Sequence, residues 1–296
     1  MKKRLFLLLS ALLVLTLPCL VMQAEDTSQE KKEGEKEVVL LSSDTAERSE
    51  EKILVVNGKH LPILTFHGEN YLSLNALCRA IGKTEAEFSV KDGVFTAEIR
   101  KGALSASAKE GQHLVIANGR YLYSDHPNIY QDRVLYVPMS SAVKAVGGKI
   151  EKVTGRYHYL TTNEGAAIRM GDSYYDEDAV LWLSRIIHAE SGNQPLAGKI
   201  AVGTVVLNRV DSPKYPDTIY GVIFDKKYGV QFTPTENGSI WCNPNTDSVI
   251  AAKIVLEGYR TNPDILFFMN ESTAVSTWIS DNCDYAFTIA DHSFWS

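Results

Sequence analysis

Two hydrophobic periodicities divide the chain into two regions. From Ile53 to about Thr162, apolar residues tend to alternate with polar ones between turn signals such as Asn57-Gly58. A period of two is typical of half-buried β-strands. Beyond Glu177 the period lengthens to about 3.6 residues, which indicates amphipathic helices. The pattern predicts an α+β fold, in which a helix-rich domain with a small sheet (177–296) follows a β-rich repeat domain with short helices (53–162).

The β-rich region contains an internal repeat with an offset of 65 residues. Residues 71–74 (Tyr-Leu-Ser-Leu) correspond to residues 136–139 (Tyr-Val-Pro-Met), and residues 80–82 (Ala-Ile-Gly) correspond to residues 145–147 (Ala-Val-Gly). Each copy is predicted to form a strand, a short helix that ends at glycine, and further strands.

The first 52 residues are predicted to lie outside both domains. Lys2, Lys3 and Arg4 precede an uncharged apolar stretch, Leu5–Met22, which is typical of an export signal covering residues 1–24. We therefore expect a secreted, extracellular or cell-wall-associated protein; the alternative is an uncleaved membrane anchor. Residues 25–52 hold ten acidic, five basic and no aromatic residues, so they are predicted to be a disordered linker. Residues 163–176 are predicted to be a second linker.

The composition of the chain mainly excludes some classes of function. The chain has 296 residues, 45% of them apolar, which is enough for two domains with separate cores. It holds 30 Lys and Arg against 36 Asp and Glu, and three of the basic residues lie in the predicted signal. The remainder is acidic, which disfavours nucleic-acid binding. No cofactor is implied, and we expect a monomer.

The cysteine positions leave undecided whether one disulfide bond forms. Outside the predicted signal the chain has Cys78, Cys242 and Cys283. Cys242 and Cys283 lie in the same domain and are the pair that could close, and the alternative is three buried thiols. No CxxC pair is present, so neither a zinc ribbon nor a thioredoxin-like redox site is predicted.

A carboxylate ends the first apolar stripe of the helical region. Val180, Leu183, Ile187 and Glu190 follow one another at spacings of three, four and three, and Gly192 comes just after them. Apolar neighbours and the negative end of the helix dipole both favour the protonated acid, so the pKa of Glu190 is predicted to be raised. A raised pKa suits a general acid at neutral pH. The alternative is a surface glutamate at a helix end.

The next helix is apolar nearly all round. Leu196–Val210 is therefore predicted to be the buried centre of the domain. Within it, Asn208 is expected to form hydrogen bonds inside the core, and Arg209 is expected to pair with a carboxylate. Residues 265–268 and 287–289 are predicted to be strands that line the site.

Several motifs together point to a known family. The run LSRIIHAESGNQPLAGKIAVGTVVLNRV at 183–210 is followed by YPDTIYGVIF at 215–224, QFT at 231–233 and IADHSF at 289–294. In combination these motifs resemble the spore cortex-lytic cell-wall hydrolase family over essentially all of residues 177–296. The resemblance implies a lysozyme-like catalytic domain in which Glu190, the glutamate of the HAE segment, is the catalytic acid.

The resemblance also implies a substrate and a reaction. The substrate is peptidoglycan, cleaved between MurNAc and GlcNAc by a lytic transglycosylase or a muramidase. In the transglycosylase route Glu190 protonates the glycosidic oxygen and then accepts a proton from the substrate's C6 hydroxyl, so that a 1,6-anhydro product forms. Hydrolysis would require a second carboxylate, and Asp225, Glu236 and Asp247 are available without a diagnostic spacing.

Five further residues are candidates for binding this substrate. Gln231 and Thr233 match the family's QF(S/T) segment, and the alternative is that they form a turn. Tyr220, Asn270 and Trp278 are candidates for the cleft because sugars pack on aromatic faces and amides bind hydroxyls. The alternative for the aromatic residues is a place in the core.

The repeat region resembles a second family. Residues 71–82 and 136–147 are similar to the domain found at the N-terminus of copper amine oxidases, which also serves as a stalk in secreted bacterial proteins. The resemblance does not bring copper chemistry with it, because the histidines of this region are scattered without ligand spacing. A spacing or binding role is therefore predicted.

Two other functions remain open. A metal-dependent peptidoglycan amidase would use His188, Glu190 and His292. Residues two apart on a helix point about 200° apart, which argues against a shared ion for His188 and Glu190. A non-catalytic wall-binding protein is the second alternative, and product analysis on peptidoglycan separates it from an enzyme.

Overall fold

The computed structural model describes residues 52–82, 87–91, 94–101, 104–162, 168–227, 229–274 and 276–296. All of these residues lie within one contiguous unit of the chain, Thr45–Ser296. The predicted signal and the acidic linker up to residue 51 lie outside the described residues. Within the described ranges, no helix is both long enough and apolar enough to cross a membrane.

The region from residue 52 to residue 162 is β-rich, as the alternating pattern predicts. The strands are β1 Lys52–Val56, β2 Lys59–Phe66, β3 Glu69–Ser73, β4 Glu87–Lys91, β5 Val94–Lys101, β6 Leu104–Lys109, β7 Leu114–Ala117, β8 Arg120–Tyr123, β9 Ile129–Gln131, β10 Val134–Pro138, β11 Gly148–Thr154 and β12 Tyr157–Thr162. A seven-stranded sheet has the order β11-β12-β1-β2-β3-β10-β9, and a five-stranded sheet has the order β4-β5-β6-β7-β8. Neighbouring strands are antiparallel except β1 and β12, which are parallel.

Each copy of the repeat forms the predicted strand and short helix. In the first copy β3 leads into α1, Leu74–Ala80, and in the second β10 leads into α2, Met139–Ala145. Both helices are followed by a glycine with positive φ, Gly82 at +77° and Gly147 at +66°, a conformation that costs glycine least. Strands β3 and β10 pair antiparallel with Leu72 opposite Val137, which is its own counterpart in the repeat. The two copies therefore meet through equivalent residues.

The C-terminal region is helix-rich with a small three-stranded antiparallel sheet, in which the last strand of the chain lies between the other two. The predicted α+β class is therefore confirmed. Its helices are α3 Gly171–Tyr174, α4 Glu177–Ser191, α5 Leu196–Asp211, α6 Ile219–Ile223, α7 Pro234–Asn237, α8 Thr246–Leu256 and α9 Trp278–Asn282, with a 3₁₀ turn at Ser239–Trp241. Its strands are β13 Phe267–Met269, β14 Tyr285–Ile289 and β15 His292–Trp295.

Helix α5 is the centre of the C-terminal core, as its uniform apolarity predicts. Every residue from Gly198 to Arg209 is buried. Helices α4 and α8 contribute Leu183, Ile187 and Val255 to the same core, all of them fully buried. A Cβ atom at Gly203 would lie 2.9 Å from Ile187 Cδ1, so the absence of a side chain there lets α4 approach α5 closely. The start of α4 is capped by Asp176, whose side chain accepts a hydrogen bond from Ala179 N at 2.8 Å.

A buried ion pair joins the β-rich region to the C-terminal region. Arg120 lies on β8, and Glu257 is the residue just after α8. Arg120 donates from Nε and Nη2 to the two carboxylate oxygens of Glu257 at 2.7 and 2.5 Å. Only 4% of the Glu257 side chain is exposed. The Tyr175 hydroxyl donates to the same carboxylate at 2.7 Å, and the Arg120 guanidinium lies 3.4 Å from the centre of the Tyr174 ring. Bidentate geometry with a third donor is what a buried carboxylate requires.

Two sequence predictions need correction. The segment 163–176 was expected to be a linker, but its described part is packed: Ile168 is buried in the N-terminal core and Tyr175 binds Glu257. The Ile168 carbonyl also accepts a hydrogen bond from Asn118 Nδ2 at 2.8 Å. The disulfide between Cys242 and Cys283, which the sequence leaves undecided, is not formed, and the alternative of three buried thiols is also wrong because only Cys78 is buried. Cys242 is an exposed thiol after the 3₁₀ turn, and Cys283 follows α9.

We predict that removing Glu257 destabilises the C-terminal region. Glu257→Ala leaves the Arg120 guanidinium without its carboxylate, and loss of one partner of a buried pair costs about 3 kcal/mol in free energy of unfolding. Urea unfolding followed by tryptophan fluorescence measures this, because all four tryptophans lie beyond residue 177.

The matched control is the exposed pair of Arg260 and Asp211, whose nitrogen and oxygen are 3.4 Å apart and whose aspartate side chain is 68% exposed. Asp211→Ala should change the free energy of unfolding by less than about 1 kcal/mol. Equal losses in the two variants would contradict the role given to Glu257.

Candidate active site

Glu190 lies on the last turn of α4, which ends at Gly192. The apolar face of the helix, with Ile186 and Ile187 fully buried, leads up to this carboxylate. The helix end depends on a residue without a side chain, since a Cβ atom at Gly192 would lie 2.6 Å from the His188 carbonyl oxygen. The sequence predictions of an apolar stripe ending in Glu190 and of a stop at Gly192 are confirmed.

Burial raises the pKa of Glu190 from 4.5 to about 7, and the positive charge of Arg209 acts in the opposite direction. The carboxyl group is half-buried rather than sealed, and it lines a groove. At neutral pH a substantial fraction of Glu190 is therefore protonated and can donate a proton into that groove. The predicted raised pKa agrees with the structure.

The groove is large, with a volume of about 1210 Å³. It exceeds the 300–1,000 Å³ or so of pockets for small molecules, which suits a polymer better. Its walls come from the ends of α4 and α5, Lys227, residues 230–233, β13 with the residue after it, α9 and the β14–β15 turn. Among the residues predicted from the sequence, it is lined by Glu190, Gln231, Thr233, Asn270 and Trp278.

The polar candidates are held by local hydrogen bonds that leave groups facing the groove. Gln231 donates from Nε2 to the Gly229 carbonyl at 3.2 Å. Asn270 accepts through Oδ1 from the amide and hydroxyl of Ser272 at 3.0 and 2.6 Å, bonds that do not use its NH₂ group. Thr233 immediately precedes α7 without a side-chain capping bond. Gln231 also shapes a turn, so the substrate-binding and turn-forming alternatives considered for it are compatible.

The two aromatic candidates lie on different parts of the surface, and one of them lines the groove. Trp278 begins α9 at the groove, is 56% exposed, and packs edge-on against Phe267 with ring centres 6.0 Å apart. Tyr220 does not line the groove. Its ring stacks on Phe224 at 4.5 Å and meets Trp182 edge-on at 5.1 Å, which turns it toward an aromatic cluster on another part of the surface. The structure therefore does not bring Tyr220 together with the other candidates.

Arg209 contributes more to the site than the sequence indicates. Its Nε donates to the Leu266 carbonyl at 2.8 Å, and its guanidinium lies 5.2 and 5.5 Å from the ring centres of Phe232 and Phe267. The expected carboxylate pair is wrong: within the described residues no carboxylate oxygen lies within 4 Å of this guanidinium. A backbone carbonyl and aromatic faces satisfy the cation instead. Asn208 is buried as predicted and donates to the carbonyls of Ile265 and Asn262 at 2.9 and 3.0 Å.

A second carboxylate also lines the groove, and sequence reasoning missed its role. Asp291 accepts through Oδ2 from Gln194 Nε2 at 2.9 Å, and its amide donates to Gln194 Oε1 at 3.3 Å. This reciprocal pair ties the β14–β15 turn to the loop after Glu190. The two residues are 97 positions apart, so no local spacing reveals them. None of the three carboxylates considered from the sequence, Asp225, Glu236 and Asp247, lines the groove.

The two histidines considered for a metal site lie in different places, because one lines the groove and the other does not. His292 lines the groove on β15, and its ring is edge-on to Phe268 at 5.5 Å. Burial lowers its pKa. His188 does not line the groove, and its Nδ1 is buried. Across the residues that the structure describes, no three His, Cys, Asp or Glu side chains are grouped so that they could hold a metal ion. The strands predicted to line the site do so in part, because β13 lines the groove whereas β14 does not.

Comparison with known proteins supports the family prediction for the C-terminal region. Residues 193–295 match the family described as Cell Wall Hydrolase. The chain is 32% identical over 105 residues to a spore cortex-lytic enzyme of Oceanobacillus iheyensis, covering 36% of this chain and 37% of that protein. It is 32% identical over 117 residues to one of Bacillus cereus, covering 40% and 43%. The chain thus spans less than half the length of these curated relatives.

Solved structures give a related result. The chain is 30% identical to the catalytic domain of the germination-specific lytic transglycosylase SleB from Bacillus anthracis, covering 41% of this chain and 97% of that one with a TM-score of 0.38. A Bacillus cereus SleB catalytic domain matches at 30% identity, covering 41% and 92%, also with a TM-score of 0.38.

The position of Glu190 leads to a prediction about stability. Burial raises its pKa from 4.5 to about 7 in the folded chain, so between these values the folded state binds more protons than the unfolded state. The free energy of unfolding should therefore fall as pH rises through this window, by up to about 2 to 3 kcal/mol. Glu190→Gln removes the ionisation, and its stability relative to wild type should rise between pH 4 and pH 8. Urea denaturation at both pH values measures the change.

The control makes the same chemical change at an exposed place on the same helix. Glu177 lies in the first turn of α4. A pH-dependent gain of equal size in Glu177→Gln would contradict the assignment to Glu190.

Proposed function

We propose that this protein cleaves the glycan strands of peptidoglycan between MurNAc and GlcNAc, with Glu190 as general acid and then general base. One observation carries the proposal. A carboxyl group whose pKa burial raises to about 7 lines a groove large enough for a polymer. The relatives named above, a cell-wall hydrolase family and spore cortex-lytic enzymes, support the choice of peptidoglycan among polymers. A lysozyme-like domain is proposed on the same basis.

The first step is protonation of the glycosidic oxygen. Protonated Glu190 donates its proton as the bond to the leaving sugar breaks, and the remaining sugar develops oxocarbenium-like positive charge. Glu190 is ionised at this stage and lies close enough to Arg209 for that cation to stabilise it. The groove thus holds a group that is neutral before the step and stabilised as an anion after it.

The second step separates a transglycosylase from a hydrolase. We propose that Glu190 takes a proton from the C6 hydroxyl of the same sugar, whose oxygen then attacks the anomeric carbon to give a 1,6-anhydro product. Hydrolysis would instead use a second carboxylate to stabilise the cation or to activate water. Asp291 is the other carboxylate on the groove, but one of its oxygens already accepts from Gln194. The one-carboxylate route requires nothing further from it.

The β-rich region is proposed to hold the active domain at a distance from its anchoring point, or to bind the wall, as a copper amine oxidase N-terminal-like stalk. The duplicated strand-and-helix unit supports this reading. We also propose that the protein acts outside the cell, on the basis of the N-terminal apolar stretch and the nature of the substrate. We further propose that it acts as a monomer.

The catalytic role of Glu190 is tested by incubating wild type and Glu190→Gln with purified sacculi and analysing soluble products by mass spectrometry. The amide keeps the shape but cannot donate an acidic proton, so product release should fall at least about a hundredfold. Sedimentation with sacculi should show unchanged binding. Release by the wild type should decline as pH rises through about 7, because the acid form of Glu190 is lost.

Glu177→Gln is the control here too, and it should release products like the wild type. Full activity of Glu190→Gln, or release of free peptides instead of glycan fragments, would refute the proposed reaction.

The second step is tested by the product and by Asp291→Asn together. We expect 1,6-anhydro ends from both wild type and Asp291→Asn, with rates within about tenfold of each other, because asparagine can still accept from Gln194. Reducing ends in the wild-type products, together with a loss of about a hundredfold in Asp291→Asn, would indicate a two-carboxylate hydrolase instead.

A further inference from the structure

A second depression adjoins the groove, with a volume of about 490 Å³. Asn270 and Asp291 line both cavities, so these two residues form the rim between them. Beyond the rim the depression is lined by Tyr285, Thr288 and Ser293 of the small sheet and by Glu271 and Ser272. A chain that leaves the groove at this end passes over the rim into the depression.

The rim is polar and its shape is fixed. Gln194 holds the side chain and the backbone of Asp291 with two hydrogen bonds, at 2.9 and 3.3 Å. Asn270 is held through Oδ1 by Ser272, in bonds that leave its NH₂ group unused. Ala290, between the strands, has φ of +49°, a left-handed conformation that alanine adopts at a cost. The rim therefore presents one amide donor and one carboxylate acceptor in a set arrangement.

The far wall carries an aromatic ring held by its neighbours. The Tyr285 ring meets Trp295 edge-on at 5.2 Å, and its hydroxyl lies 2.9 Å from Thr288 Oγ1, which in turn lies 2.8 Å from Ser293 Oγ. The ring nevertheless remains 56% exposed. A fixed aromatic face beside a line of hydroxyls suits a sugar ring, which has an apolar face and a polar edge.

Charge narrows the choice of ligand further. Among the described residues that line this depression, the charged side chains are two carboxylates, Glu271 and Asp291. They accept hydrogen bonds from hydroxyl and amide groups but repel anionic ligands. The stem peptides of peptidoglycan carry carboxylates, whereas the sugar rings present hydroxyl and acetamide donors. The lining thus favours the glycan itself.

We propose that this depression is an additional glycan subsite, in which Tyr285 stacks on a sugar of the strand beyond those held in the groove. The inference rests on the proposed function, since it takes the glycan strand as the ligand. It assigns to Tyr285, Thr288 and Ser293 a role in recognising long strands, separate from the reaction at Glu190.

The test compares strands of different length. Glycan strands freed of stem peptides by an amidase are separated into short oligomers, which the groove alone accommodates, and long strands. Tyr285→Ala should lower kcat/KM on long strands by roughly five- to tenfold and leave kcat/KM on short oligomers unchanged. Tyr285→Phe keeps the ring and loses only the hydroxyl, so it should retain most of the preference for long strands.

Tyr159→Ala is the matched control, because Tyr159 is an exposed tyrosine of the β-rich region that lines neither cavity. It should match the wild type on both substrates. A Tyr285→Ala variant that is unchanged on long strands, or equally impaired on short and long ones, would overturn the subsite.

A binding measurement separates this inference from the proposed reaction. In the Glu190→Gln background, Tyr285→Ala should weaken the Kd for long strands by a similar factor, measured by calorimetry. If the wild type cleaves nothing but this weakening is seen, the subsite stands and the reaction fails. If the wild type cleaves strands and the Kd does not change, the subsite fails and the reaction stands.

Discussion

The site depends on one constraint: a carboxyl group must be withdrawn from water far enough to keep its proton and still reach a groove. Glu190 meets both conditions because it lies on the last turn of α4, one turn after the fully buried side chains of Ile186 and Ile187, and lines the groove. Burial raises its pKa, and the same burial makes its ionised form costly to the fold. Arg209 reduces that cost without removing the shift, since its charge is shared with a carbonyl and aromatic rings rather than neutralised by a close carboxylate.

The groove keeps its shape through the polar end of an otherwise apolar helix. Helix α5 lies at the centre of the core, and its last turn places Asn208 and Arg209 where they can hold the chain just before β13. Buried amide and guanidinium groups are costly without partners, so they fix the carbonyls of Ile265 and Leu266. The opposite wall is held by Gln194 and Asp291. Both walls are thus hydrogen-bonded to segments that adjoin the ends of α4 and α5.

The sequence predicts those parts of the site that local periodicity determines. The stripe ending in Glu190, its stop at Gly192 and the burial of α5 all follow from residues close in the chain. The Gln194–Asp291 pair does not, because its members are 97 residues apart and carry no motif that links them. Tyr220 illustrates the reverse error: an aromatic residue in a matching motif suggested a cleft, but its neighbours Trp182 and Phe224 take its ring elsewhere. The linker prediction failed because nothing close in the chain reveals that Tyr175 binds Glu257, which lies 82 residues further along the sequence.

Two hairpins of the β-rich region share the same kind of turn but differ in the basic residue that follows it. β1–β2 and β7–β8 both turn at Asn-Gly with positive φ at each residue, so their backbones place the next side chain alike. In one hairpin that residue is Lys59, whose ammonium donates to the Arg79 carbonyl in an exposed bond. In the other it is Arg120, whose planar guanidinium binds both oxygens of Glu257. A lysine could not make this bidentate contact, so the buried pair on β8 depends on arginine at this position.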